Sequence, residues 1–337
     1  MTGSISLNHG SGGRLSRRLV DEIFLPAFSN DLLRELGDSA VLPLYPGEMA
    51  FTTDSFVVDP VEFPGGNIGA LAVCGTVNDL AVAGATPLYL STSFILEEGL
   101  DMGMLSRMVQ SMADEAKRAG VLIVTGDTKV VRRGQCDKLF INTSGIGRLE
   151  TAFRPEQGIR NIAEGDLILI NGGIAEHGMA VLSAREHLQF KSAIHSDCAC
   201  LNGIIRDALR IDNAVRFMRD ATRGGLATVL CELAEKTGLG LTLNEPEIPI
   251  SPEVRGMCDL LGFDPLYIAN EGKVVLVVAR DKVPEILAIM KNHPLGRETA
   301  IIGEVNGRHD GTVMLQTEVG GHRIVDMLAG DQLPRIC

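Results

Sequence analysis

The chain has 337 residues, of which 45% are hydrophobic and 22% charged; this is globular composition and argues against a disordered or fibrous protein. Lys plus Arg total 31 against 43 Asp plus Glu, a net charge of −12, whereas a domain that grips a nucleic-acid backbone carries a basic surface. DNA and RNA are therefore poor partners, while small phosphorylated ligands, whose charge one metal ion or one loop of amides can offset, stay open.

In chain order, the pattern predicts a helix over 15–28 and a strand over 49–58. An apolar helix over 67–83, closed by Gly84 and Pro87, follows, then a strand over 88–96 and an amphipathic helix over 102–119. Strands are expected at 121–125 and 139–146. A polar, Gly/Pro-bearing stretch over 154–165 reads as a linker. Beyond it, strands are expected at 167–171, 274–279 and 301–305, with helices at 179–189, 199–210, 225–236 and 282–292. The expected architecture is α+β or α/β in two domains, 1–150 and 151–329. A tail over 330–337 has little to bury and is expected to project from the fold.

No stretch approaches the roughly 20 apolar residues of a bilayer-spanning helix, and residues 1–13 carry no secretory pattern. Seven cysteines, an odd number without a pairing pattern, point to a reduced cytoplasmic protein. The absence of CxxC argues against a structural zinc site, so Cys198 and Cys200 read as ordinary packed or surface thiols. Cys337 is set apart as the last residue.

Asp79 is the only charged residue between Phe63 and Leu96. A carboxylate in so apolar a helix needs a cation, hydrogen bonds or a proton; it is either a metal ligand or bonded to a nearby backbone group or Arg. Asp38 (GDSAV), Asp54 (FTTD) and Asp127 (GDTK) leave comparable apolar segments, and carboxylates at strand ends can converge on one crevice. Oxygen-only ligands suit a hard cation such as Mg²⁺. Two glycine-rich segments precede helices and can cradle phosphate: His9–Arg14, with Gly12 and Gly13, and Asp220–Gly225, with Arg223. Neither is a Walker A loop or a dinucleotide fingerprint.

Taken together, HGSGGR, GDSAV, TTDSFVVDP, VNDLAVAGATPLYLS, TGDTKVV, GGIAEHGMAVLSARE and DATRGGLATVL resemble the aminoimidazole-ribonucleotide synthetase-like ATP-binding superfamily over nearly the whole chain. The ending Pro334-Arg335-Ile336-Cys337 is similar to that of its hydrogenase-maturation carbamoyl dehydratases. The resemblance implies the two-domain fold of that superfamily with a flexible C-terminal tail, usually as a homodimer joined through N-terminal-domain strands. It implies ATP and Mg²⁺ as cofactors, a carbamoyltransferase, HypF, as donor of a carbamoyl group to Cys337, and a HypC–HypD complex as acceptor of the cyanide made from it. Dehydration of the S-carboxamide would proceed by phosphoryl transfer to its oxygen and loss of phosphate as the nitrogen is deprotonated. Asp38, Asp54, Asp79 and Asp127 are then the metal and nucleotide set. Asn78 would orient a phosphate or an Asp, Lys129 would offset phosphate charge or contact the amide, and Glu271 would be the base. His9 and His177 are second choices. Competing readings are a small-molecule kinase or synthetase of the same superfamily, and a non-catalytic thiol carrier.

Overall fold

The computed structural model describes residues 3–11, 13–34, 36, 39–43, 45–150, 152–186, 194–308, 310–328, 330, 333 and 335–337. Helix runs from Arg14 to Phe28 as α1 (Arg14–Leu19), a π segment (Val20–Phe24) and α2 (Leu25–Phe28), with α3 (Asp31–Arg34) after it. Leu19, Ile23, Phe24 and Phe28 are its buried residues. Then come β1 (Met49–Phe56), β2 (Glu62–Phe63), β3 (Gly66–Asn67), α4 (Ile68–Val82), β4 (Ala85–Glu97), α5 (Met102–Ala119), β5 (Leu122–Val131) and β6 (Leu139–Leu149). The sheet order is β1-β6-β4-β5, antiparallel except for β4 beside β5.

Both long helices begin where the residues say they must. The Asn67 side chain accepts from the Ala70 N–H at the start of α4, and Asp101 accepts from Met104 N–H at the start of α5. Gly120, at φ 73°, ends α5 in the left-handed conformation. Thirteen of the fifteen residues of α4 are buried, as an all-round apolar sequence requires.

Two strands outrun their expected bounds. β4 starts at Ala85 and passes through Pro87, which sits at a shift of register where a missing N–H costs no ladder bond. β5 continues through GDTKVV because β4 pairs with it as far as Glu97–Val131. Asp127 is therefore inside a strand, not beyond its end.

The second half holds α6 (Pro155–Arg160), β7 (Leu167–Ile170), α7 (Glu176–Arg185), α8 (Asn202–Ala208), β8 (Val215–Asp220), α9 (Gly225–Thr237), β9 (Gly240–Asn244), α10 (Pro252–Leu261), β10 (Val274–Val278), α11 (Val283–Asn292), β11 (Ala300–Asn306), β12 (Val313–Gln316) and β13 (His322–Val325). Seven strands form one sheet in the order β13-β12-β9-β11-β7-β10-β8. The expected linker contains α6, whose Gly158 lies so close to the Arg216 carbonyl that a Cβ would meet it at 2.1 Å.

The last three residues of the tail, 335–337, do not project. Val57 N–H donates to the Cys337 carbonyl (3.1 Å) and Asp59 N–H to the Arg335 carbonyl (3.4 Å), in the antiparallel sense. Ile336 is 4% exposed and joins the core of the first sheet. The expectation failed because the two apolar tail residues, Leu333 and Ile336, find sockets built by elements distant in sequence.

Candidate functional site

The tail lies in a cleft of about 490 Å³ bounded by Ser55, Val57, Arg223, Gly224 and Tyr267, with Cys337 among its lining residues. His177, fully buried, bonds through Nε2 to the Ile336 carbonyl (2.8 Å) and through Nδ1 to Ser196 Oγ (2.8 Å). Burial holds its pKa below the usual histidine value, so the neutral ring donates from Nε2 and accepts from the Ser196 hydroxyl. Arg185 donates to the carbonyls of Asp59 and Arg335, both at 2.7 Å. Arg335, at φ 54°, is held by Asp137 and by the Val57 carbonyl. A non-glycine residue in that region costs roughly 1–3 kcal/mol and persists where its surroundings dictate it.

Beside this cleft four carboxyl groups act on one another. Asp79 Oδ2 accepts from Thr52 Oγ1 (2.8 Å). Burial raises its pKa and the Thr52 bond lowers it; Asp54 raises it further, while Arg219 and Arg223 lower it. Burial also raises that of Asp54, against the Ser55 N–H and Arg223. Asp220, at the end of β8, is pushed up to about 6, chiefly by burial and then by Asp79. Glu271 is 3% exposed; burial, then Asp197, Asp220 and Asp54, push it well above the carboxylate range, with Arg223 opposing. Its Oε1 is buried with no hydrogen-bond partner among the described residues. An orphaned carboxyl oxygen beside mutually repelling carboxylates fits a hard cation and the groups it would carry, with oxygen donors only.

Asn78 takes a different part from the one expected. Its Nδ2 donates to the carbonyls of Ala199 (3.1 Å) and Glu271 (3.3 Å), and its Oδ1 accepts from Leu201 N–H (2.7 Å). With the amide engaged by backbone, Asn78 positions the Glu271 loop. Asp197, 1% exposed at its side chain, was missed by sequence reasoning; it accepts from the N–H groups of Glu271 and Gly272 and pairs with Lys273. Only its place in the otherwise polar stretch before Cys198 could have signalled it.

Asp127 and Lys129 stand apart. By register, Asp54 shares a row with Thr143, Thr92 and Gly126, and Asp127 shares the next with Ser93, Asn142 and Ser55. β1 and β5 are the two edges of the sheet, so Asp54 and Asp127 are three strands, about 14 Å, apart and on opposite faces. Asp54 and Asp79 thus come together as expected, whereas Asp127 does not join them within one chain. Asp127 pairs with Lys129 at 2.8 Å, which lowers its pKa. Both line a second cleft, of about 550 Å³, with His9, Ser11, Phe24 and Phe28. Thr92 Oγ1, buried in its wall, has no partner among the described residues. Gly10 approaches β5 so closely that a Cβ would lie 2.7 Å from Val130 N, and His9 Nδ1 is engaged by Ser6. Gly13 is the residue before α1; Gly12 and Asp38 lie outside the described residues. In the other glycine-rich segment Gly224 and Gly225 both have positive φ at the start of α9, and a Cβ on Gly225 would meet the Leu266 carbonyl at 2.5 Å.

Comparison with known proteins gives a consistent answer. The N-terminal domain of AIR synthase related proteins matches residues 36–149, and the C-terminal domain of the same family matches residues 163–316. The carbamoyl dehydratase HypE of Cupriavidus necator is 49% identical over 340 residues, covering 100% of this chain and 95% of the relative. A crystal structure of hydrogenase maturation protein HypE in complex with ATP superposes with a TM-score of 0.93 at 47% identity, over 98% of this chain and 99% of that one. A HypE–HypF complex gives 0.80 at 48% identity, over 92% and 99%.

Proposed function

The chain belongs to the HypE carbamoyl dehydratases among the AIR synthase related proteins, and on that premise we propose that it converts an S-carboxamide on its own Cys337 into a thiocyanate. The observation that carries this reading is the seating of Cys337 in a cleft whose Arg223 also acts on Asp54, Asp79 and Glu271. ATP, when bound, supplies the phosphoryl group that turns the carboxamide oxygen into a leaving group, and the water removed ends in inorganic phosphate.

The residues divide the work. His177, Arg185 and the Val57 N–H hold the backbone of the tail so that its thiol-borne group faces the carboxyl cluster. The nitrogen loses two protons on the way to the nitrile, one as its oxygen takes the phosphoryl group and one as phosphate leaves, and Glu271, with its raised pKa and unpartnered Oε1, accepts them and passes the first on to solvent. Asp54 and Asp79 would hold Mg²⁺, as hard oxygen donors, and Arg223 and Asp220 lie at the loop that meets phosphate before α9. The cleft beside β5 offers an apolar wall for a base, and Ser11, Lys129 and, through a cation, Asp127 for its phosphates.

Because these two half-sites sit at opposite edges of an open sheet, we place them together across a homodimer. The uncovered sheet face supports this, with Phe51 71% exposed and Leu122 44%. HypF is the proposed carbamoyl donor, since a HypE forms a complex with HypF, and HypC–HypD the proposed acceptor of the cyano group. Seven cysteines that form no disulfide among the described residues support work in the cytoplasm; no helix among those residues is long and apolar enough to cross a membrane.

Mass spectrometry of the C-terminal peptide tests the reading. Incubation with the carbamoyl donor system is expected to add a carboxamide to Cys337, and Mg-ATP to remove one water from it. A carboxamide that persists with Mg-ATP would leave a thiol carrier.

A further inference from the structure

Three of the seven cysteines lie close together against the core of the first domain. Cys74, fully buried in α4, has its Sγ 3.4 Å from Cys200 Sγ. Cys198 lies on the same segment as Cys200 and packs against the same core, but its sulfur is not among the mutually close ligand atoms. A carboxylate oxygen of Glu115, from α5, completes a group with the sulfurs of Cys74 and Cys200 in which every ligand atom is within 4.8 Å of the others. Glu115 is paired with Arg118, and its side chain is 14% exposed.

We propose that Cys74, Cys200 and Glu115, with a water in the fourth position, form a site for a thiophilic divalent cation, zinc. The donor set argues for it. Thiolates select soft or borderline ions over magnesium, and zinc accepts mixed sulfur and oxygen ligands without a preferred d-electron geometry. Sulfurs on one tetrahedral zinc lie about 3.8 Å apart, from Zn–S bonds of about 2.3 Å, so the pair needs only a small opening. The charges also close: two thiolates and a carboxylate against the ion leave one negative charge, which Arg118 meets beside Glu115. Binding releases the two thiol protons to solvent, and the partly exposed sides of Glu115 and Cys200 give an entry path. The absence of a CxxC pattern hides such a site, because its ligands come from α4, α5 and the segment before α8.

The ion would join those three elements directly beneath the loop of Glu271, since Asn78, on α4, bonds both Ala199 and Glu271. The inference is independent of the dehydratase reading.

The test uses the reduced full-length protein stripped with a chelator and titrated with Zn²⁺, and separately with Cd²⁺ to follow thiolate absorption in the ultraviolet. One ion per chain is expected, with X-ray absorption showing sulfur scatterers at the zinc–thiolate distance. Cys200→Ala and Glu115→Gln, both at partly exposed positions, should each weaken binding at least tenfold, while Cys231→Ala and Cys337→Ala leave it unchanged. Circular dichroism of each variant confirms that it is folded. No tight ion, affinity unchanged in Cys200→Ala, or loss of binding in Cys337→Ala would overturn the site. So would a Cys74–Cys200 disulfide forming in air at the same rate with and without Zn²⁺.

Discussion

Glu271 is pressed toward its protonated form from every direction except that of Arg223, and the neighbouring Asp220, at about 6, is in the same position to a lesser degree. A carboxyl whose folded pKa exceeds its unfolded value binds a proton in the folded chain that the unfolded chain has released. Its stability contribution is complete below the ordinary carboxylate range and is lost as pH rises toward the raised value. Glu271→Gln keeps the shape and removes the ionisation. Its melting temperature should match that of the native chain near pH 4 and exceed it increasingly up to pH 8, while the carboxamide on Cys337 is no longer dehydrated. Parallel melting curves across that range would show that Glu271 ionises normally and is not the poised base. The isolation of Asp79 in its helix and the DATRGG loop were legible from charge and spacing alone. The use of Asn78 was not, because whether an amide faces a ligand or a backbone depends on the segment packed against it, here residues 199–201, far away in sequence.

Among the elements, α4 and α5 were readable almost to the residue, since Asn67, Asp101 and Gly120 mark their ends chemically. The short strands β8, β9, β12 and β13 were not, because four to six residues such as VRFMRD or GLTLN carry too few periods to separate from noise. The tail is the instructive failure. Its sequence has only Leu333 and Ile336 to bury, yet Ile336 is 4% exposed and five hydrogen bonds reach the backbone of residues 335–337 or leave the Arg335 side chain for Val57. Burying an isoleucine side chain stabilises by roughly 1.5–3 kcal/mol, so Ile336→Ala should free the tail. The rate at which a maleimide labels Cys337 is expected to rise at least tenfold, with ATP binding unaltered. His177→Gln tests the other half of the clamp: its amide can still donate to the Ile336 carbonyl, so labelling should rise less than in His177→Ala. Labelling at the native rate in all three variants would mean that the seat does not control the thiol.

At the scale of the molecule, the open sheet and the divided site are one problem. β1 and β5 are the edge strands of the first sheet, where a partner can add, and the face between them exposes Met49, Phe51, Ile95 and Leu122 around a band of Ser, Thr and Asn side chains. Covering that face with a second copy would bury the apolar positions and carry the Asp127–Lys129 edge of one chain toward the Asp54 edge of the other. Phe51→Glu should therefore shift the protein to monomers in sedimentation and reduce ATP turnover together. A sharper check mixes two inactive variants. If each site takes Asp54 from one chain and Asp127 from its partner, a heterodimer of Asp54→Asn with Asp127→Asn has one doubly altered site and one intact site. Random exchange of equal amounts should then restore about a quarter of native ATP hydrolysis by two-fold symmetry alone, whereas either variant by itself stays inactive. If both aspartates served a site within one chain, every chain in the mixture would carry a defect and no activity would return.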